Sequence, residues 1–146
     1  MMNKEKIFNI SLNFRKGIEI AKQKRLFHPN SCLNRFPRAC CEHASSLLRF
    51  YLKRQYDIDV LQVCCDCGDN GTHAFLEYDN LIIDITSDQF PNRPPVYVDY
   101  PDDFYKNMKF IQEHDFYDFV EEAANYGNND FRAINLKDYL TIIETM

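Results

Sequence analysis

Residues 72–86 read THAFLEYDNLIIDIT. Two short runs of branched and aromatic side chains flank Asp79-Asn80, the composition of a β-hairpin closed by a two-residue turn. Antiparallel partners keep a constant sum of residue numbers, so this turn pairs Tyr78 with Leu81, Glu77 with Ile82, Phe75 with Asp84 and His73 with Thr86. Side chains alternate between faces, which puts His73, Phe75 and Glu77 on one face with Ile82, Asp84 and Thr86. His73 and Asp84 become diagonal neighbours, roughly 5–8 Å apart at Cβ and within reach of a hydrogen bond. A carboxylate inside LIIDIT is costly to bury unless it is paired. His73 is its nearest partner.

Outward from the hairpin, IDVLQVCC (58–65) has strand composition, and Val96 to Val98, hemmed in by prolines, predicts a short edge strand. Toward the N-terminus the period changes. Ile7, Ile10, Phe14, Ile18 and Ala21 recur at helical spacing and predict a helix from Lys4 to about Leu26. HPNSCLNRFPR (28–38) carries prolines and turn-forming residues and predicts a loop, followed by a second helix from about Cys40 to Tyr56. Beyond Asp102 the chain is acidic and aromatic, with helices expected around Phe116 to Tyr126 and Leu136 to Thr145, separated by Gly127-Asn128-Asn129. This order predicts a single α+β domain over residues 1–146, with N-terminal helices packed on a small antiparallel sheet and helices at the C-terminus.

The 146 residues carry a formal net charge of -5, which argues against a protein that coats nucleic acid. The basic run from Arg15 to Arg25, with Lys16, Lys22 and Lys24, reads as a solvated helix face. No stretch approaches the ~20 apolar residues of a membrane span, and MMNKEKIFNISLNF lacks the apolar run of a signal peptide. The expected location is cytoplasmic, with no membrane partner. In a reducing compartment the six cysteines are expected as free thiols, ligands or nucleophiles rather than a disulfide framework.

Cys40 and Cys41 stand where the second helix begins, a position whose dipole favours a thiolate. If that helix packs across the His73–Asp84 face, a thiol meets the imidazole and a Cys-His-Asp triad results. The bland alternative is a pair of buried apolar thiols. A metal site would draw on Cys64, Cys65 and Cys67 with Cys40, Cys41 and His43. In a strand, however, Cys65 and Cys67 face one side and Cys64 the other, so CCDC reads as a strand end with redox sensitivity and no metal site is expected. Gln89 is expected to fix its loop rather than to bind substrate.

The ordered set CCEHASSLL, THAFLEY and IIDIT resembles the transglutaminase-like branch of the papain-like thiol enzymes, whose pattern is a cysteine at a helix start, then His-Ala-aromatic, then Asp on the next strand. The resemblance spans roughly Pro37 to Phe90. The family often has a glycine where this chain has Ala39, and usually a tryptophan where it has Phe75. The resemblance implies a protease, amidase, deamidase or acyltransferase that acts on a protein, peptide or carboxamide substrate without a cofactor. It implies a cysteine nucleophile at the helix start, His73 as proton carrier and Asp84 as orienter; Cys41 is the expected nucleophile, favoured by its place on the helix wheel and by the distance to the next strand. On the helix wheel Cys40 lies in the buried stripe with Ala44, Leu47, Leu48 and Tyr51, while Cys41 lies at its edge beside Ser45 and Leu52. The family's spacing from cysteine to a small residue fits Cys40 with Ala44 slightly better, so Cys40 stays as the alternative nucleophile. A non-catalytic interaction or regulatory module on the same fold is the rival class.

Overall fold

A computed structural model describes residues 2–114 and 143. Helix α1 spans Lys4–Gln23 and is capped by Asn3, whose side chain accepts from the Lys6 N–H at 2.8 Å. Helix α2 spans Cys41–Tyr56 and ends where Asp57 turns left-handed, φ 53°. Between and after them run β1 (Leu61–Asp66), β2 (Thr72–Tyr78), β3 (Leu81–Asp84), β4 (Tyr97–Asp99), the one-turn helix α3 (Asp103–Lys106) and β5 (Lys109–His114). The strands form one antiparallel sheet in the order β4-β3-β2-β1-β5.

The hairpin has the expected register: Tyr78 pairs with Leu81, Glu77 with Ile82 and Leu76 with Ile83. Asp79 and Asn80 both have positive φ, 49° and 68°. That is the turn whose twist matches the strands it joins, and Asn and Asp tolerate it better than most residues. The proline-flanked strand falls at the sheet edge as β4. Two elements were not anticipated. KFIQEH forms β5 at the opposite edge, and α3 precedes it. Both helices expected after Phe116 lie outside the described residues, apart from Ile143, which is helical and buried.

Two cores flank the sheet. On one face Ile7, Phe14 and Ile18 of α1 and Ala44, Leu47 and Leu48 of α2 pack with Leu76, Leu81 and Ile83. Gly17 lets α1 approach Ile143 closely, since a Cβ there would come within 2.6 Å of the Ile143 carbonyl oxygen. On the other face Phe75 and Ile82 pack with Val63, Cys65 and Tyr105. Helix α2 therefore docks on the face opposite His73 and Asp84, which corrects the expectation that it crosses their face. The apolar stripe of α2 meets Leu76 and Ile83, and by alternation these point away from Phe75 and Asp84.

The basic run of α1 is not a uniformly solvated face either. Arg15 is buried. Its Nη1 donates to the carbonyls of Ile85 (2.9 Å) and Pro95 (2.7 Å), both Nη atoms engage the Asp88 carboxylate at 2.7 Å, and Nε donates to Glu19 at 2.6 Å. A planar fork with fixed donors suits this convergence of carbonyls and carboxylate. It ties α1 to the segment that follows β3.

Candidate active site

Cys41, His73 and Asp84 meet at the point where β3 leaves the sheet. The β2–β3 ladder ends at Leu76 and Ile83, and β3 itself ends at Asp84. Continuation would have given the Ala74 backbone a partner on that side. The start of α2 takes the vacant place: the Ala74 N–H donates to the Cys41 sulfur, and the Ser45 hydroxyl donates to the Ala74 carbonyl at 3.3 Å. This contact lets a thiol from a helix on one face reach an imidazole on the other.

His73 and Asp84 are hydrogen-bonded directly, Nε2 to Oδ2 at 2.6 Å, with both side chains fully buried. Asp84 accepts further bonds: the Tyr105 hydroxyl at 2.8 Å on Oδ2, and the Thr86 N–H and hydroxyl at 2.9 and 3.3 Å on Oδ1. A carboxylate so fully satisfied can stay ionised in the interior. Burial pushes its pKa up, but His73 and these donors outweigh burial and hold it below the ordinary range. The ring of His73 lies against Phe90 (centroids 4.9 Å apart, edge-on) and Phe75 (5.8 Å). Tyr105 in turn packs edge-on against Phe75 at 5.2 Å. These rings keep water from the His73–Asp84 bond and so strengthen it.

Cys41 is half-buried and hydrogen-bonded to His73. Burial works against its ionisation, yet the hydrogen bond and charge of His73 prevail and lower its pKa below that of an ordinary thiol. His73 responds in the complementary sense: burial lowers it, but Asp84 and Cys41 together raise it to about 9. A half-buried thiol and a buried imidazole that favour each other's charged forms make an activated nucleophile.

Cys40, by contrast, faces inward. It is the cap residue of α2, buried, with its sulfur hydrogen-bonded to Cys32, and its ionisation is pushed far upward by that bond and by burial. Ala39, just before it, has φ 57°, a left-handed conformation that glycine adopts without steric cost and alanine does not. The turn that presents Cys41 is thus held in a strained conformation.

Residues that sequence reasoning left out also build the site. Tyr105, from the unanticipated α3, carries no local signal in DDFYK. Gln89, expected only to fix its loop, places its amide nitrogen 2.6 Å from His73 Nδ1. Since Nε2 is taken by Asp84, Gln89 and Cys41 share the Nδ1 edge of the ring. Cys64 and Cys67 stand three residues apart, a spacing that suits metal sites, but among the described residues no group of three or more ligand side chains converges. Cys65 packs in the second core, and burial followed by neighbouring charge pushes Cys67 up to about 11.

No protein-family model, curated protein or solved structure matches the chain. Its chemistry must be read from its own atoms. Among the described residues, no helix is long and apolar enough to cross a membrane.

Proposed function

We propose that the chain is a cysteine acyl-transfer enzyme on a papain-like fold of the transglutaminase-like branch, acting on a peptide or carboxamide. The observation that carries this reading is the hydrogen-bonded chain from Cys41 through His73 to Asp84, in which Cys41 is the one member that is not fully buried. The left-handed Ala39, at a position where the family often carries glycine, supports it as well.

In this reading the Cys41 thiolate attacks the carbonyl carbon and the carbonyl π pair moves to oxygen. The oxyanion is met by backbone N–H groups at the start of α2. The tetrahedral intermediate collapses, its C–N bond breaks, and the leaving nitrogen takes the proton from His73. Water or an amine then attacks the thioester, gives its proton back to His73 and expels the thiolate. Asp84 holds the imidazole in place and offsets its charge throughout. Because His73 must be protonated to release the amine, kcat/KM is expected to fall on the alkaline side with a midpoint near 9, where His73 loses its proton.

The test is a panel of peptide- and carboxamide-bearing electrophiles (vinyl sulfones, aldehydes, chloroacetamides) incubated with the native chain, with the adduct located by mass spectrometry. An adduct on Cys41 with at least one recognition group supports the reading. If Cys41 reacts only after unfolding, the enzyme reading fails and a non-catalytic interaction or regulatory module takes its place.

A further inference from the structure

A second thiol cluster lies behind the nucleophile and takes no part in the chemistry above. Cys32 opens the 3₁₀ turn Cys32–Arg35, and its sulfur is 3.3 Å from Nδ1 of His43, on the first turns of α2. The same side chain packs against the core that holds Cys40, the residue that caps α2, and the two thiols share a hydrogen bond. Cys32 is half-buried and Cys40 buried, and all of these thiols are free. We propose that Cys32 and Cys40 form a peroxide-oxidisable dithiol whose disulfide joins the 3₁₀ turn to the cap of α2, immediately before Cys41.

The assignment of roles follows from the surroundings. Cys32 is the accessible member and has His43 beside it and Arg35 nearby. The hydrogen bond from Cys40, and then His43 and Arg35, lower its pKa against the effect of burial, down to about 5. A thiolate at neutral pH is the form that attacks peroxide. Cys40, kept as a thiol, is the resolving partner. In the first step the Cys32 thiolate attacks one peroxide oxygen, the O–O bond breaks, and hydroxide leaves as water after taking a proton, so that Cys32 becomes a sulfenic acid. In the second, the Cys40 sulfur attacks the Cys32 sulfur, the S–O bond breaks, and a second water leaves with the Cys40 proton. Two thiols and one hydrogen peroxide thus give one disulfide and two waters.

The link would tie down the backbone that places Cys41. The proposal does not depend on the acyl-transfer reading, and its readout is a thiol linkage, not turnover.

The full chain, reduced, desalted and treated with stoichiometric hydrogen peroxide, is expected to give a cross-link between tryptic fragments 26–35 and 39–49 that dithiothreitol reverses. Because Cys40 and Cys41 share a fragment, the deciding arm is Cys41→Ser, in which the cross-link must persist. In Cys40→Ser, Cys32 is expected to remain as a sulfenic acid that dimedone traps. A cross-link lost in Cys41→Ser would overturn the proposal by assigning the bond to Cys41. Oxidation that reaches Cys64 or Cys67 before Cys32, with no link between these fragments, would overturn it equally. The Cys41→Ser arm retains the buried Cys40, so the answer does not require Cys40→Ser to fold.

Discussion

Asp84→Asn is expected to fold and to lower turnover on the order of 10²–10⁴-fold, with kcat falling far more than KM rises. The hydrogen-bond pattern dictates this. Asp84 Oδ1 accepts from Thr86, and an asparagine carbonyl oxygen does the same. Its amide nitrogen then faces His73 Nε2, where Oδ2 stands at 2.6 Å, and donates instead of accepting. The ring must respond by moving its proton to Nδ1, the edge that faces Cys41 and Gln89. A neutral imidazole protonated there cannot take the thiol proton, and the negative charge that stabilised the imidazolium is gone. Steady-state kinetics on whichever substrate the electrophile panel identifies is the check. Turnover at the wild-type rate would demote Asp84 to a structural role.

Arg15→Ala carries the largest expected effect on stability, a loss of about 2–4 kcal/mol in urea unfolding, at the lower end of the cost of breaking a buried pair. Truncation leaves the Ile85 and Pro95 carbonyls without their donor and Asp88 without its partner. The loss is moderated because the Asp88 side chain is 26% exposed and water can meet part of it. Arg15→Lys keeps the charge but not the fork, and is expected to fall between wild type and alanine. The segment so anchored, 85–95, also holds Gln89 and Phe90 against His73. Loosening it should therefore slow labelling of Cys41 at temperatures where the chain is still folded. A change in stability below about 0.5 kcal/mol, the scale of an ordinary surface substitution, would contradict this account of Arg15.

What was legible in the sequence, and what was not, follows from the range of the interactions. The hairpin could be read residue by residue because a two-residue turn fixes register locally, and with it the diagonal placement of His73 and Asp84. The helical spacing of α1 and α2 was equally local, and their starts came within a residue of those seen. The short strand β5 was missed because it owes its place to pairing with β1 across the sheet, a contact no local period records. Arg15 looked like its lysine neighbours, since its partners beyond Glu19, the Ile85 and Pro95 carbonyls and the Asp88 carboxylate, are 70 or more residues away. Tyr105 too meets Asp84 across 21 residues, beyond the reach of any local pattern. The docking face of α2 was misjudged because the thiol reaches His73 past the end of β3, and nothing in the sequence marks where that strand leaves its ladder.

The central claim is that Cys41, not Cys40, is a thiol activated by His73, and the pH dependence of its alkylation tests this most directly. Native chain, Cys40→Ala and Cys41→Ala are treated with iodoacetamide between pH 5 and 10, and label is counted in tryptic fragment 39–49 alone, which sets aside Cys32. The account predicts labelling of this fragment at pH 6, well below the ordinary thiol pKa of about 8.5, retained in Cys40→Ala and lost in Cys41→Ala. Labelling that is lost in Cys40→Ala and retained in a folded Cys41→Ala, or that begins only above about pH 8.5 in the native chain, would contradict it.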